Sequence, residues 1–174
     1  MTEPTPKPAR ATPPPDLTTE AFAALLPARG ALLGLDLGSK TIGLALSDIG
    51  RMIASGLVTI ERTKFKTDAA ELMSLVERHR VCGLVIGLPL NLDGSSGPRV
   101  QSTRSFVRNL AGLTPIPVLL WDERLSTVAA ERMLIEADAS RRRRGQVIDK
   151  VAATIILQGA LDRMRAMTAR ASAD

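Results

Sequence analysis

The sequence predicts an α/β domain built on a mixed five-stranded sheet, three antiparallel strands followed by two parallel ones, flanked by helices. Three observations carry this. Apolar runs at Ala31–Leu37, Thr41–Ser47 and Met52–Ile60 are joined by short connections containing Gly38 and Gly50, and strands joined this tightly pair as an antiparallel meander. After Ile60 the apolar spacing changes from the period of a strand to that of a helix. From there helical segments alternate with apolar runs, which is how crossover connections bring later strands back parallel to the first.

Seven of the eleven prolines precede Ala28. Residues 1–28 are therefore expected to form a Pro-rich arm, disordered or extended, with a short helix near Thr19–Leu26, and residues 29–170 to form the folded domain. Ala31–Leu37 reads as a buried strand that stops at Gly38, and Thr41–Ser47 and Met52–Ile60 complete the meander. Asp68 and Glu71 are spaced as a capping box ahead of Leu72, Leu75, Val76 and His79 on one helical face; His79 there is expected to be packed or at an edge. Val81–Gly87 is a further buried strand, Arg99–Leu110 a helix, Val118–Trp121 a strand and Thr127–Ala137 a helix. The last helix is expected over Val147–Met167, with Ile148, Val151, Ala152, Ile155, Ile156 and Gly159 on its packed stripe. This order of elements is that of the ribonuclease H-like superfamily.

A chain of 174 residues has room for one ordinary domain. No uncharged apolar stretch of about 18 residues is available to cross a bilayer, and the start lacks the apolar centre of a signal peptide, so a cytoplasmic protein is expected. The lone Cys82 rules out an internal disulfide and a paired-cysteine metal motif. It reads as a small core residue rather than a nucleophile, because the only histidine lies on a different element. A net charge of +5 and a pI near 10.1 favour an anionic partner such as nucleic acid. With aromatics at only 2%, base stacking is a poor basis for binding, and a grip on phosphates and shape is expected instead.

Three acids stand out. Asp36 sits among Leu33, Leu35 and Leu37, and a carboxylate in such surroundings requires a partner; it is either a ligand or the cap of the Gly38-Ser39 turn. Asp122 and Glu123 directly follow a strand, where ligand sites of α/β sheets gather. Glu123 is taken as the ligand and Asp122 as the residue that orients it, supports the turn or pairs with Arg124. Asp149 opens the last helix, with Ala152 and Ala153 allowing close approach to the sheet; an ordinary acid favoured by the helix dipole is the alternative. If the sheet assembles as expected the three converge, and clustered carboxylates call for bridging cations. Mg²⁺ or Mn²⁺ suits oxygen ligands, and two such ions about 3.5 to 4 Å apart would serve phosphodiester hydrolysis.

Other segments suit an anionic substrate. Gly87–Gly97 links a strand to a helix, and Asn91, Gly94 and Ser95 within it are candidates to contact phosphate, although an ordinary turn-rich connection has the same composition. Arg141, Arg142, Arg143 and Arg144 precede Asp149 and are candidates to hold the strand being cut, or else form a solvated charge run. Lys40, Arg124 and Lys150 are weaker candidates of the same kind.

Four segments in order, Gly34–Asp48, Gly87-Leu88-Pro89 with Asp93-Gly94-Ser95, Asp122–Thr127, and Val147–Ala153 with Ile156-Leu157-Gln158, resemble the YqgF family, also called RuvX, of bacterial ribonuclease H-like proteins. The resemblance spans residues 31 to 162. It implies a metal-dependent nuclease that processes the 5′ end of pre-16S rRNA or, alternatively, resolves Holliday junctions, with Asp36, Glu123 and Asp149 in the acidic roles. Lys40 stands where relatives commonly have Arg, and the Pro-rich arm lies outside the family core. Compared with ribonuclease H, no acid ends the Val81–Gly87 strand, and Glu123 substitutes from its neighbour. The expected partner is structured RNA or branched DNA, bound by a monomer or a homodimer. Other readings are a non-catalytic ribosome-assembly protein, which needs no metal, and an actin-like ATPase, a class that normally needs two copies of the domain.

Overall fold

Alternation of side chains along an extended chain gives a strand two faces, and when both are apolar the strand belongs in the middle of a covered sheet. Ala31–Leu37 is such a strand: all seven residues are buried. The computed structural model describes residues 16–125 and, from residue 144 to 173, the last helix, with side chains from residue 150 onward. In chain order the elements are helix α1 (Thr19–Leu25), strands β1 (Ala31–Leu37), β2 (Thr41–Ser47) and β3 (Ala54–Glu61), helix α2 (Phe65–Arg78), strand β4 (Val81–Leu88), helix α3 (Pro98–Ala111), strand β5 (Val118–Asp122), a single 3₁₀ turn (Glu123–Leu125) and helix α4 (Arg144–Ala173). The strands form one sheet in the order β3-β2-β1-β4-β5. The pairs β1–β2 and β2–β3 are antiparallel, and β1–β4 and β4–β5 are parallel. This is the order of strands and pairings that the sequence predicts. The helix expected at Thr127–Ala137 and the first fifteen residues of the expected arm lie outside the described residues.

Two cores sandwich β1. Leu33, Leu35 and Leu37 join Leu72, Phe106 and Leu110 of α2 and α3 on one side. On the other, Leu32 joins Val85, Leu119, Ala152, Ala153, Ile156 and Leu157, so Gly34 and Asp36, in alternation with Leu32, also face α4. A Cβ at Gly34 would stand 2.7 Å from Leu157 Cβ and 2.9 Å from the Ala153 carbonyl oxygen; the missing side chain is what lets α4 lie this close. The direction of α4 follows from β3. Ala54 donates its N–H to Gln158, whereas Gly56 lies against Lys150 and Thr154. The helix therefore runs opposite to β3 and β1, and its N-terminal end lies at the carboxyl edge of β1.

Several boundaries shift for local reasons. β3 starts at Ala54 rather than Met52 because Asp48 Oδ1 accepts the N–H groups of Met52 and Ile53, at 2.8 and 2.9 Å, and holds them in the turn. α2 starts at Phe65, three residues before Asp68. The Asp68 carboxylate instead reaches back to the N–H and hydroxyl of Thr63, a partner just outside the helix. α1 falls within the segment expected as an arm, and its Phe22 is fully buried in the second core. No helix among the described residues is long and apolar enough to cross a membrane.

Candidate active site

Asp36 lies one residue short of the end of β1, opposite Gly43 of β2, and is only 1% exposed. One step past the Leu35–Ile86 pair, it is level with Gly87 of β4. Gly87 in turn pairs with Trp121, two residues before Glu123. A Cβ at Gly87 would stand 2.5 Å from Glu123 Oε1, 3.2 Å from its Cγ and 2.6 Å from Ile156 Cδ1. The Glu123 side chain therefore folds back across the end of β4 and occupies the space that glycine leaves. Asp36 of β1 and Glu123 from the end of β5 thus stand at one edge and on one face of the sheet, with β4 between their strands and the Glu123 side chain reaching back over it.

Asp149 belongs to α4, one helical turn before Ala153, whose carbonyl touches the Gly34 position. Because α4 runs against β1, this turn brings residue 149 to the same edge. Its side chain lies outside the described residues. Among the described residues no group of three His, Cys, Asp or Glu is clustered around a possible metal position. The donors that are described still suit a hard cation: two carboxylates on one face, one buried and one seated in a cradle that a Cβ would fill, offering oxygen ligands only.

Asp122 has a different task from Glu123. Arg124 clasps it through Nε at 3.0 Å and Nη2 at 2.7 Å, and the Arg124 N–H adds a bond of 2.9 Å. Those bonds hold the Asp122 carboxyl below the usual carboxylate range and push Arg124 upward. The carboxylate so held locks the 3₁₀ turn from which Glu123 projects. A depressed folded pKa contributes stability that is complete above the unfolded value of about 3.9 and lost as pH falls through the folded one. Arg124→Gln is therefore expected to lower stability only slightly near neutral pH, as loss of an exposed pair does. Urea melts of variant and wild type should converge as the pH is taken below about 4.

Arg124 also backs the connection after β4, with Nη1 3.1 Å from where a Cβ of Gly94 would lie. That turn is closed upon itself. Gly94 donates its N–H to Asn91 O and Asn91 its N–H to Ser95 O, Asn91 Nδ2 reaches Ser95 Oγ, and Asp93 accepts both the N–H and the hydroxyl of Ser95. The two bonds from Ser95 keep the Asp93 carboxyl low. Asn91, Gly94, Ser95 and Arg124 are thus one preformed unit beside β5, with the N–H groups of Gly94 and Ser95 already engaged.

The other candidates are dispersed. Lys40 is exposed in the β1–β2 turn, where its carbonyl accepts the N–H of Arg62. Lys150 lays its stem against Gly56 of β3. Arg141, Arg142 and Arg143, and the side chain of Arg144, lie outside the described residues. Cys82 sits near the opposite end of β4, half-buried, with its thiol donating to the Ala31 carbonyl. Sequence reasoning passed over a cavity of about 450 Å³ on the other face of the carboxyl edge, to which Arg62 and Arg99 contribute. An arginine just after a strand and another at a helix start look like solvated charges in a sequence, so only the fold could reveal them.

The RuvX family profile, described as a Holliday junction resolvase, matches residues 30–163. A protein of Paracoccus denitrificans named "Putative pre-16S rRNA nuclease" is 62% identical over 146 residues, covering 84% of this chain and 92% of its own length. One of the same name from Ruegeria pomeroyi is 60% identical over 148 residues, covering 85% and 96%. Among solved structures, Thermus thermophilus RuvC in complex with a Holliday junction substrate overlays with a TM-score of 0.48 at 15% identity, covering 77% of this chain and 96% of that one.

Proposed function

The chain belongs to the RuvX family, and from that premise we propose that it is a divalent-metal-dependent nuclease acting in the cytoplasm on the 5′ end of pre-16S rRNA. The observation that carries the reading is the buried Asp36 beside a Glu123 carboxylate seated over Gly87. Asp36, Glu123 and Asp149 would hold Mg²⁺ or Mn²⁺, which supplies Lewis-acid activation of water and neutralises charge on the phosphate during attack.

The remaining steps belong to the chain's own side chains. Asp36 from β1 and Glu123 from the end of β5 approach across β4 and, by fixing where the cations would sit, set the position of the scissile phosphate. The Asp122–Arg124 clasp keeps Glu123 in place, and the prearranged Asn91–Ser95 turn, backed by Arg124, gives the flanking backbone a fixed polar surface beside the site. Lys40, Lys150 and Arg141–Arg144 are assigned the outer phosphates, where charge without fixed geometry is sufficient. The folded unit proposed at residues 29–170 is joined by α1 through Phe22.

The test is cleavage of a precursor 16S rRNA fragment beside a four-way DNA junction, each with Mg²⁺, with Mn²⁺ and with EDTA. Cation-dependent cutting of the RNA is expected. Cutting of the junction alone would move the assignment to resolution, the activity that the family's description names. Binding of either probe without any cleavage would favour a non-catalytic assembly role.

A further inference from the structure

We infer that the cavity on the opposite face of the carboxyl edge is a second phosphate subsite, which takes a backbone phosphate one or two nucleotides from the bond to be cut. The inference rests on the nuclease reading and adds to it a determinant of register. The cavity, of about 450 Å³, is walled by Leu37 at the end of β1 and Gly38 and Ser39 after it, by Arg62 after β3, and by Arg99, Ser102 and Thr103 of α3. Leu37 directly follows Asp36, so the wall begins one Cα step, about 3.8 Å, from the acid. A strand crossing this edge of the sheet passes from the carboxylates on one face to the arginines on the other.

The chemistry of the wall is that of an anion site. Two guanidinium groups and three hydroxyls, those of Ser39, Ser102 and Thr103, line it, no carboxylate does, and the first turn of α3 carries no acid. Neither Arg62 nor Arg99 is in an ion pair among the described residues. Arg62 is also held in position. Its Nη1 donates to the Gly38 carbonyl at 2.6 Å, and its guanidinium carbon stands 5.9 Å from the centre of the Phe106 ring. An arginine has five N–H donors, so this anchoring leaves donors for a phosphate and little rotamer freedom to lose on binding. Arg99 and Ser102 are exposed, which leaves the cavity open to a polymer rather than closed around a small molecule. Contacts of this kind set the position of a nucleic acid without reading its bases.

The experiment measures binding apart from cutting. Fluorescence anisotropy with Ca²⁺ in place of Mg²⁺, over a range of salt, would use a labelled precursor-rRNA fragment and a four-way DNA junction as probes. The proteins would be wild type, Arg99→Gln and Arg62→Gln, with melting curves run in parallel. Loss of one phosphate contact should weaken binding about eightfold near 0.1 M salt and reduce the slope of log K against log salt by about 0.9. In single-turnover cleavage, Arg99→Gln should also shift or spread the cut position. Should Arg62→Gln melt early because its Gly38 bond is lost, Arg99→Gln carries the test alone. An unchanged Kd, salt slope and cut position for Arg99→Gln, while wild type binds and cuts, would overturn the subsite and leave the nuclease reading intact. Failure of wild type to bind either probe would remove both. A probe that responds to the variants while the other does not tells whether RNA or DNA occupies the subsite.

Discussion

Asp36→Asn is expected to lower metal-dependent cleavage by about three orders of magnitude while the protein stays folded. The substitution keeps the shape of a side chain that is only 1% exposed and removes its negative charge. Losing an anionic ligand to the cation costs several kcal/mol of transition-state stabilisation, and about 4 kcal/mol corresponds to a factor near 10³. A second readout needs no substrate. A cation that binds only the folded state raises the melting temperature by mass action, so Mn²⁺ should stabilise wild type and do so much less for Asp36→Asn. A variant that cuts as fast as wild type would place the chemistry elsewhere in the molecule.

Gly87→Ala tests the cradle rather than an acid. The new methyl would lie 2.5 Å from Glu123 Oε1 and 2.6 Å from Ile156 Cδ1, and both are ends of side chains that can swing away. The fold should therefore survive with a loss of about 1 to 3 kcal/mol, the range for overpacking. Glu123 has nowhere to move except away from β4. A misplacement of about 1 Å can cost a hundredfold in rate, so a fall near 10² is expected in single-turnover cleavage, with binding little altered. Pairing Gly87→Ala with Glu123→Asp, which shortens the side chain, should recover part of the rate. Full activity in Gly87→Ala alone would show that the position of Glu123 over Gly87 is irrelevant to turnover.

What the sequence revealed and what it hid divide along a physical line. The topology was legible because the turns after β1 and β2 are too short for crossover, and because the later apolar runs are separated by helix-length segments. Asp36 was legible as a charge in the wrong company, whereas Arg124 two residues on implied that one of Asp122 and Glu123 would be clasped without fixing which. Starts of elements were harder. The carboxylates of Asp48 and Asp68 choose partners five residues away, and no periodicity records such choices. Gly87 looked like the close of a strand, since the use of its empty side requires knowing that Glu123 returns over it. The phosphate cavity was hidden for the same reason: Arg62 and Arg99 are neighbours only after β3 and α3 are brought to opposite sides of β1.

The helix that covers the second face of the sheet follows all five strands in sequence, and it packs on β1, β2, β3 and β4 at once. While a ribosome is still extending the polypeptide, the strands can pair and the first core can close, yet Leu32, Val85 and Leu119 have only Phe22 and its neighbours in α1 for cover until that helix emerges. Residue 149 travels on the same helix. Hydrophobic closure and arrival of the proposed third ligand are thus a single event, so a nascent chain would pass through its most aggregation-prone stage before the proposed site could be complete.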